Sequence, residues 1–297
     1  MAEKILLTGA TGTVGSFLLD QLVSASANIR ALVRNEGKAA RLRERGVEVV
    51  IADLSQPETL PPALDGVARV FLLTAPEERQ VELQRNMVEA AKQAGVRHLV
   101  KLSAIGAGPL APTLLSDHYT VEQEIEKSGI PFTHLRPNGF FQNTLMFRQT
   151  LREQGVFYGP LGDAKVSYVD ARDVAAVAQA VLTSQGHEGK AYEITGPQAL
   201  SYYDMAEDFS SVLGREVRYI DVPVEMLRPG MLGMGMSEWL TDALLGLFDF
   251  YKDGRAAHVS NTVREVTGRE AIDFKQFAAD YAQAFKSKDE RGTRNAE

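Results

Sequence analysis

The chain contains no cysteine. Disulfides, thiolate metal sites and cysteine nucleophiles are therefore excluded, and a reducing, cytoplasmic setting suits it. A basic excess is also missing. Asp and Glu number 39 against 32 Lys and Arg, for a net charge of −7, so no nucleic-acid surface is expected. No apolar run reaches the ~20 residues that cross a bilayer. The first residues lack the basic region, apolar run and cleavage site of a secretion signal. No membrane role is expected. The five histidines show no metal-ligand spacing such as H-E-x-x-H, so no metal is expected either. There is no internal repeat and no low-complexity segment.

What is present fits an ordinary globular protein. Over 297 residues, 44% are hydrophobic and 24% charged, enough for one large domain or two modest ones. Near the start, KILLTGATGTVGSFLLDQL carries Gly9, Gly12 and Gly15 at intervals of three. Ile5 to Leu7 reads as a short buried strand, and Val14, Phe17, Leu18 and Leu22 repeat at helical spacing. Strand, glycine turn and helix bring a helix N-terminus against a dinucleotide pyrophosphate. Thr8, Thr11, Thr13 and Val14 are expected to line that cradle. The spacing is G-x-x-G-x-x-G, not the G-x-G-x-x-G of many dehydrogenases.

Strand and helix then alternate to about residue 140. Strands are expected at Ile29–Val33, Val47–Ile51, Val67–Leu73, Leu99–Leu102 and Phe132–Leu135. Helices are expected at Lys38–Arg45, around Val81–Ala91, and at Ser116–Ser128. Such repeats imply a doubly wound parallel α/β sheet with its ligand along the carboxyl ends of the strands. Farther on, Lys165–Val169 reads as a strand, Asp173–Thr183 as a helix and Tyr192–Thr195 as a strand. Ser201 with Asp204 reads as a helix cap, Met226–Tyr251 is rich in Met and Gly, and Phe274–Phe285 reads as a last helix. The expected organisation is a nucleotide-binding domain over 1–155, with 164–195 returning to it. A smaller α/β substrate lobe over 196–290 and a frayed polar tail over 291–297, within SKDERGTRNAE, complete it.

The tip of the second strand, ALVRN, places Arg34 where an acid would select NAD. A guanidinium there grips the 2′-phosphate of NADP, with Asn35 and Lys38 beside it; the plainer reading is a solvated surface arginine. Asp53 and Leu54 are candidates for holding adenine, Asp53 alternatively for capping the segment after Pro57. Thr74, Ala75 and Pro76 are candidates for the nicotinamide ribose and phosphates, or simply a strand stop. Ser103, Pro137, Asn138 and Phe140 are candidates for the nicotinamide end. Phe140 and Phe141 read as substrate walls or as core. Met234 and Trp239, with Met231 and Met236, read as an adaptable lid, or as core or a subunit contact. None of the nine tyrosines is followed four positions on by lysine; Tyr119, for example, is followed by Gln123. The tyrosine–lysine acid of many short-chain dehydrogenases is thus missing. His118 is the candidate proton donor, or a capping histidine, with Tyr119 a weaker candidate.

TGATGTVG, ALVRN, HYTVEQEIEKSGIPFTHLRPNGFFQN, YVDARDVA and VREVTGREAIDFKQFAADYAQAF occur in this order. Together they resemble the NmrA-like branch of the atypical short-chain dehydrogenases/reductases. The resemblance implies a Rossmann-type domain with a small C-terminal lobe and NADP(H) as cofactor. It also implies a family of quinone, azo-dye, triphenylmethane-dye and isoflavone-type reductases and of redox-sensing regulators. Isoflavone-type relatives carry a catalytic lysine eleven residues before the glycine that corresponds to Gly129; here that position is His118. The departure favours a quinone, azo or dye acceptor. The expected function is an NADPH-dependent reductase of a small aromatic acceptor. Its alternative is an NADP(H)-sensing regulator without turnover, acting through a protein partner, and a homo-oligomer fits either. An epimerase with bound NAD is a third reading, against which Arg34 speaks. Asp170 and Asp173 read as structural acids at a helix start.

Overall fold

The computed structural model describes residues 3–286. The polar end expected to fray lies outside them. The chain opens with β1 (Lys4–Leu7), α1 (Thr13–Ser24), β2 (Ile29–Val33), α2 (Glu36–Arg43), β3 (Glu48–Ile51) and α3 (Leu60–Leu64). It continues with β4 (Val67–Leu72), α4 (Gln80–Gln93), β5 (His98–Leu102), α5 (Thr113–Ser128) and β6 (Phe132–Pro137). Next come α6 (Arg148–Gln154), β7 (Val156–Gly159), α7 (Ala171–Thr183), β8 (Lys190–Ile194), α8 (Tyr202–Leu213) and β9 (Arg218–Asp221). The last helices are α9 (Leu227–Gly233), α10 (Glu238–Lys252), α11 (Thr262–Thr267), α12 (Phe274–Asp280) and α13 (Ala282–Phe285).

These elements form two compact units. One holds the segment up to Pro137, Ala171–Ile194 and Thr262–Arg269; the other holds Asn138–Asp170, Thr195–Asn261 and the segment from Glu270.

In the first unit, seven strands make one sheet in the order β3-β2-β1-β4-β5-β6-β8, and every neighbouring pair is parallel. Parallel pairing follows from the helical crossovers, which cover both faces; accordingly every residue of β2, β4 and β5 is buried. Val14, Leu18, Leu19 and Leu22 form the buried stripe of α1. Leu83, Met87 and Val88 of α4 and Val121 and Ile125 of α5 share a core with Val70 and Leu99. Each such side chain contributes roughly 1.5–3 kcal/mol by leaving water. The strand order reverses at β1, between β2 on one side and β4 on the other, which is where an open α/β sheet leaves its crevice.

In the second unit, β7 and β9 pair in parallel as a separate two-stranded sheet. Phe141, Phe157, Phe209, Phe274, Phe277 and Phe285 form its buried aromatic centre. The cap read at Ser201 is present: Ser201 Oγ accepts from the Asp204 N–H at 3.1 Å, and Asp204 returns the bond to the Ser201 N–H at 2.8 Å.

Two expectations fail here, and one feature was missed. Residues 165–169 are not a strand, because Val166 bridges Leu200 antiparallel while Val169 bridges Phe140 in parallel. A segment that changes partner within three residues cannot lay down a ladder. The last helix breaks at Tyr281 into α12 and α13. The paired β7 and β9 were not expected at all.

Candidate functional site

The turn after β1 is built by two glycines. Gly9 has φ +65°, a conformation L side chains rarely adopt, and a Cβ there would lie 2.8 Å from Leu73 Cγ. Gly15 faces it from the first turn of α1: a Cβ on Gly15 would meet the Gly9 carbonyl oxygen at 2.0 Å. Together they let the helix start press against the turn. Gly12, the N-cap, is looser, since its Cβ would meet the Gly9 oxygen at 3.3 Å. No side chain caps α1 and its first turn holds no acid. The N–H groups at its start therefore lack intrahelical partners and sit at the positive end of the helix dipole. Thr11, Gly12 and Thr13 are exposed there, while Val14 is buried. Thr8 is removed from the cradle: it is buried, and its hydroxyl accepts from Leu73 N–H at 2.7 Å and donates to Leu73 O at 2.8 Å. It stitches β1 to β4.

Beside this turn, β2 ends next to Arg34. Arg34 is exposed and makes no hydrogen bond or ion pair among the described residues. Its charge reaches Asp53. The Ser55 N–H (2.9 Å) and hydroxyl (2.8 Å) both donate to Asp53 Oδ1. The Ser55 N–H is the main cause holding the Asp53 carboxyl below its usual range, against burial, with Arg34 and Arg79 adding to it. That oxygen thus closes the turn after β3, and the helical segment that begins at Pro57 takes no cap from Asp53. Asn35 caps α2, accepting from Lys38 N–H at 3.1 Å. Leu54 is a packing residue: its side chain is in the core and its carbonyl accepts from Asn86 Nδ2 at 2.8 Å. Past β4, Thr74 Oγ1 accepts from Gln84 Nε2 at 2.7 Å, while Ala75 and Pro76 are exposed.

A second polar group lies along α5 and its neighbouring strands. His118 and Glu122, one turn apart, share a face of α5. Lys101 on β5 is fully buried; its Nζ lies 3.0 Å from His118 Nδ1 and donates to Leu102 O at 3.1 Å. Burial pushes the lysine down to about 7, against the charge of Glu122. Burial, then the lysine charge, holds His118 well below its ordinary value. His118, the candidate proton donor, is thereby held in its neutral form. Glu122, also fully buried, takes two bonds from Arg136, at 2.9 and 2.6 Å. Burial alone would raise its carboxyl, but Arg136 and Ser103 hold it below the usual range. The Ser103 N–H donates to Leu135 O at 2.7 Å, while its buried Oγ makes no hydrogen bond among the described residues. Tyr119, half-buried, points elsewhere on the helix. Lys101, Glu122 and Arg136 were missed from the sequence. A lysine inside an otherwise apolar strand and an acid four residues after His118 were the available signals.

At the end of β6, Pro137 is buried and its carbonyl accepts from Ile105 N–H at 2.9 Å. In the second unit, the Asn138 amide is used up. Its Nδ2 donates to Ser167 Oγ (2.9 Å) and Ala256 O (2.8 Å), and its Oδ1 accepts from Gly139 N–H (2.9 Å). Its side chain holds the chain rather than a ligand. Phe141 is also corrected: it is 1% exposed and packs on Phe274 and Phe277, with ring centroids at 5.2 and 5.6 Å. Phe140 is half-buried, Trp239 on α10 half-buried, and Met234, after α9, 60% exposed.

Three further polar residues, His98, Asp170 and Asp173, have structural partners. His98 Nε2 lies 2.9 Å from Thr133 Oγ1, and burial pushes His98 down to about 4. Asp173, buried in the first turn of α7, pairs with Arg269 at 2.8 Å; Asp170 accepts from Gln142 at 2.9 Å. Among the described residues no cluster of potential ligands suits a metal ion, and no helix is long and apolar enough to cross a membrane.

Known proteins share this sequence and this arrangement. An NAD(P)H azoreductase of Xenophilus azovorans is 44% identical over 282 residues, covering 95% of this chain and 99% of its own. Quinone oxidoreductase 2 of Escherichia coli K12 is 33% identical over 257 residues, covering 82% and 90%. The crystal structure of the E. coli NADPH-dependent quinone oxidoreductase QOR2 with NADPH superposes with a TM-score of 0.86 at 29% identity, covering 94% of this chain and 99% of that one. With the family profile matching residues 1–277, the chain belongs to the NmrA-like family.

Proposed function

We propose that this protein is an NAD(P)H-dependent reductase of small aromatic acceptors such as quinones or azo compounds, with NADP(H) as coenzyme. The observation that carries this reading is the uncapped start of α1, pressed onto Gly9 by Gly15, with the unpaired Arg34 at the tip of the neighbouring strand. A turn that a Cβ would fill suits a pyrophosphate, and a free guanidinium suits a 2′-phosphate. Bound coenzyme supplies the hydride. The backbone of Thr11, Gly12, Thr13, Val14 and Gly15 holds the phosphates, and Arg34 selects the phosphorylated form. Asp53, through its free carboxylate oxygen, and the Thr74–Pro76 loop contact the rest of the dinucleotide. His118 meets the acceptor through Nε2. The relatives named above are an azoreductase and a quinone oxidoreductase, which supports turnover over the regulator reading.

The test mixes the purified protein with NADPH and a panel of quinones and azo dyes and follows the loss of reduced-nicotinamide absorbance. Acceptor-dependent oxidation is expected. Tight NADPH binding without oxidation by any member of the panel would instead favour the sensor.

A further inference from the structure

We infer that Lys101 is a positioning residue: it holds the His118 imidazole with its proton on Nε2 and replaces that proton after Nε2 gives it to a reduced acceptor. The inference rests on the reductase reading for its chemistry, but its geometric half stands alone.

Lys101 sits on a strand buried on both faces, and its Nζ has two neighbours, Leu102 O at 3.1 Å and His118 Nδ1 at 3.0 Å. An ammonium can only donate. His118 Nδ1 must therefore present its lone pair, which leaves the ring proton on Nε2. Nε2 has no hydrogen-bond partner among the described residues, and His118 is half-buried. The donor that the pair presents outward is thus the Nε2–H of the histidine.

Neighbouring charges do not compete for this role. From α5, Glu122 is engaged by Arg136 through both oxygens, and Glu126 lies 3.3 Å from His134 Nε2. From β6, His134 stands in register with Lys101, and from β4 the register partner is the apolar Leu72. The charged group that acts on Lys101 is Glu122, which Arg136 engages; His134, held below its ordinary value chiefly by burial, lies against Glu126. His118 alone offers Lys101 a route outward.

The proton balance closes. An acceptor that has taken a hydride carries a negative charge on its oxygen. The Nε2–H bond of His118 breaks as the O–H bond forms, and an Nζ–H bond of Lys101 breaks as Nδ1–H forms. His118 stays neutral, its proton now on Nδ1, and Lys101 is left as an amine. A solvent proton arriving at Nε2, while Nδ1–H returns to Nζ, restores the start. One proton from water is consumed per acceptor reduced by two electrons. A lysine poised near 7 suits such a transfer, and a histidine held neutral suits a relay rather than a store.

The test is ¹⁵N NMR of the His118 ring from pH 5 to 9, in the wild type and in Lys101→Met, with kcat against pH for a quinone. The wild type is expected to show an unprotonated Nδ1 and a protonated Nε2 at neutral pH, with the Nδ1 signal shifting near pH 7 as Lys101 discharges. Its kcat should fall as pH rises through about 7, because the ammonium is then lost. Lys101→Met should mix the two ring forms, lower kcat at least tenfold, remove the limb near pH 7 and leave the NADPH Kd within twofold. A proton on Nδ1 in the wild type overturns the inference even if the variant fails to fold. So does a variant with the wild-type ring spectrum, or with the wild-type kcat profile. A wild type that fails to oxidise NADPH with every acceptor of the panel defeats the reductase reading and the relay together; the ring spectrum separately decides whether Lys101 holds the tautomer.

Discussion

The β1–α1 turn and the β5–α5–β6 cluster belong to the same sheet but are built from opposite materials. The turn is made of backbone and missing side chains, and its polarity comes from unpaired N–H groups that carry no titrating proton. The cluster is made of buried ionisable side chains that set one another's protonation, the Lys101 charge keeping His118 neutral and Arg136 keeping Glu122 charged. The turn should therefore be sensitive to volume and indifferent to pH. The cluster should tolerate small volume changes and respond to charge and pH. A dinucleotide phosphate, charged at every working pH, suits the first; a reaction that consumes a proton suits the second.

The comparison is broken most forcefully at Gly15. Gly15→Ala must push the helix start off Gly9, with a cost of about 1–3 kcal/mol in stability and coenzyme binding too weak to register by calorimetry. Near-normal binding would show that the turn yields easily. Next is Glu122→Gln, which takes from Arg136 the carboxylate it is bonded to; urea unfolding at pH 7 should show a loss of about 3 kcal/mol. Because the folded carboxyl is held below its unfolded value, this stability is present above the ordinary carboxylate range and fades as pH falls through the folded pKa. The wild type should therefore lose its advantage over the variant on acidification; a gap that stays constant to pH 3 would deny the pair its role. Arg34→Ala should weaken NADPH by roughly ten- to a hundredfold, or ~1.5–3 kcal/mol, and NADH by far less, in fluorescence titrations. Equal losses for both coenzymes would separate Arg34 from the 2′-phosphate. The smallest effect on the fold belongs to Gly12→Ala: unfolding free energy within about 1 kcal/mol of wild type, yet affinity for coenzyme reduced roughly tenfold, because the backbone there approaches the phosphates. Were stability and affinity to fall in parallel, Gly12 and Gly15 would share a single role.

The two regions were not equally legible. Glycines that answer to local backbone geometry stand out in a short stretch, so the turn, the place of Arg34 at the tip of β2 and the alternation of strand and helix could be read directly. Ser201 and Asp204 were readable for the same reason, since a cap closes over three residues. The lysine–histidine and glutamate–arginine contacts join residues far apart in the chain, and β7 with β9 joins two four-residue strands, so neither left a local pattern. Asn138 and Phe141 were misread because residue type suggests contact with a ligand, whereas only the fold shows that the amide is saturated and the ring enclosed. The segment from 165 to 169 has strand composition but no single neighbour to pair with.

Arg34 supports nothing else in the described chain: it bonds no carboxylate, caps no helix and fills no core. On the proposed reading, the choice between phosphorylated and unphosphorylated coenzyme would be a detachable fitting. A single codon change at that strand tip would then retune which cellular pool of reducing equivalents the protein draws on, with the scaffold left as it was.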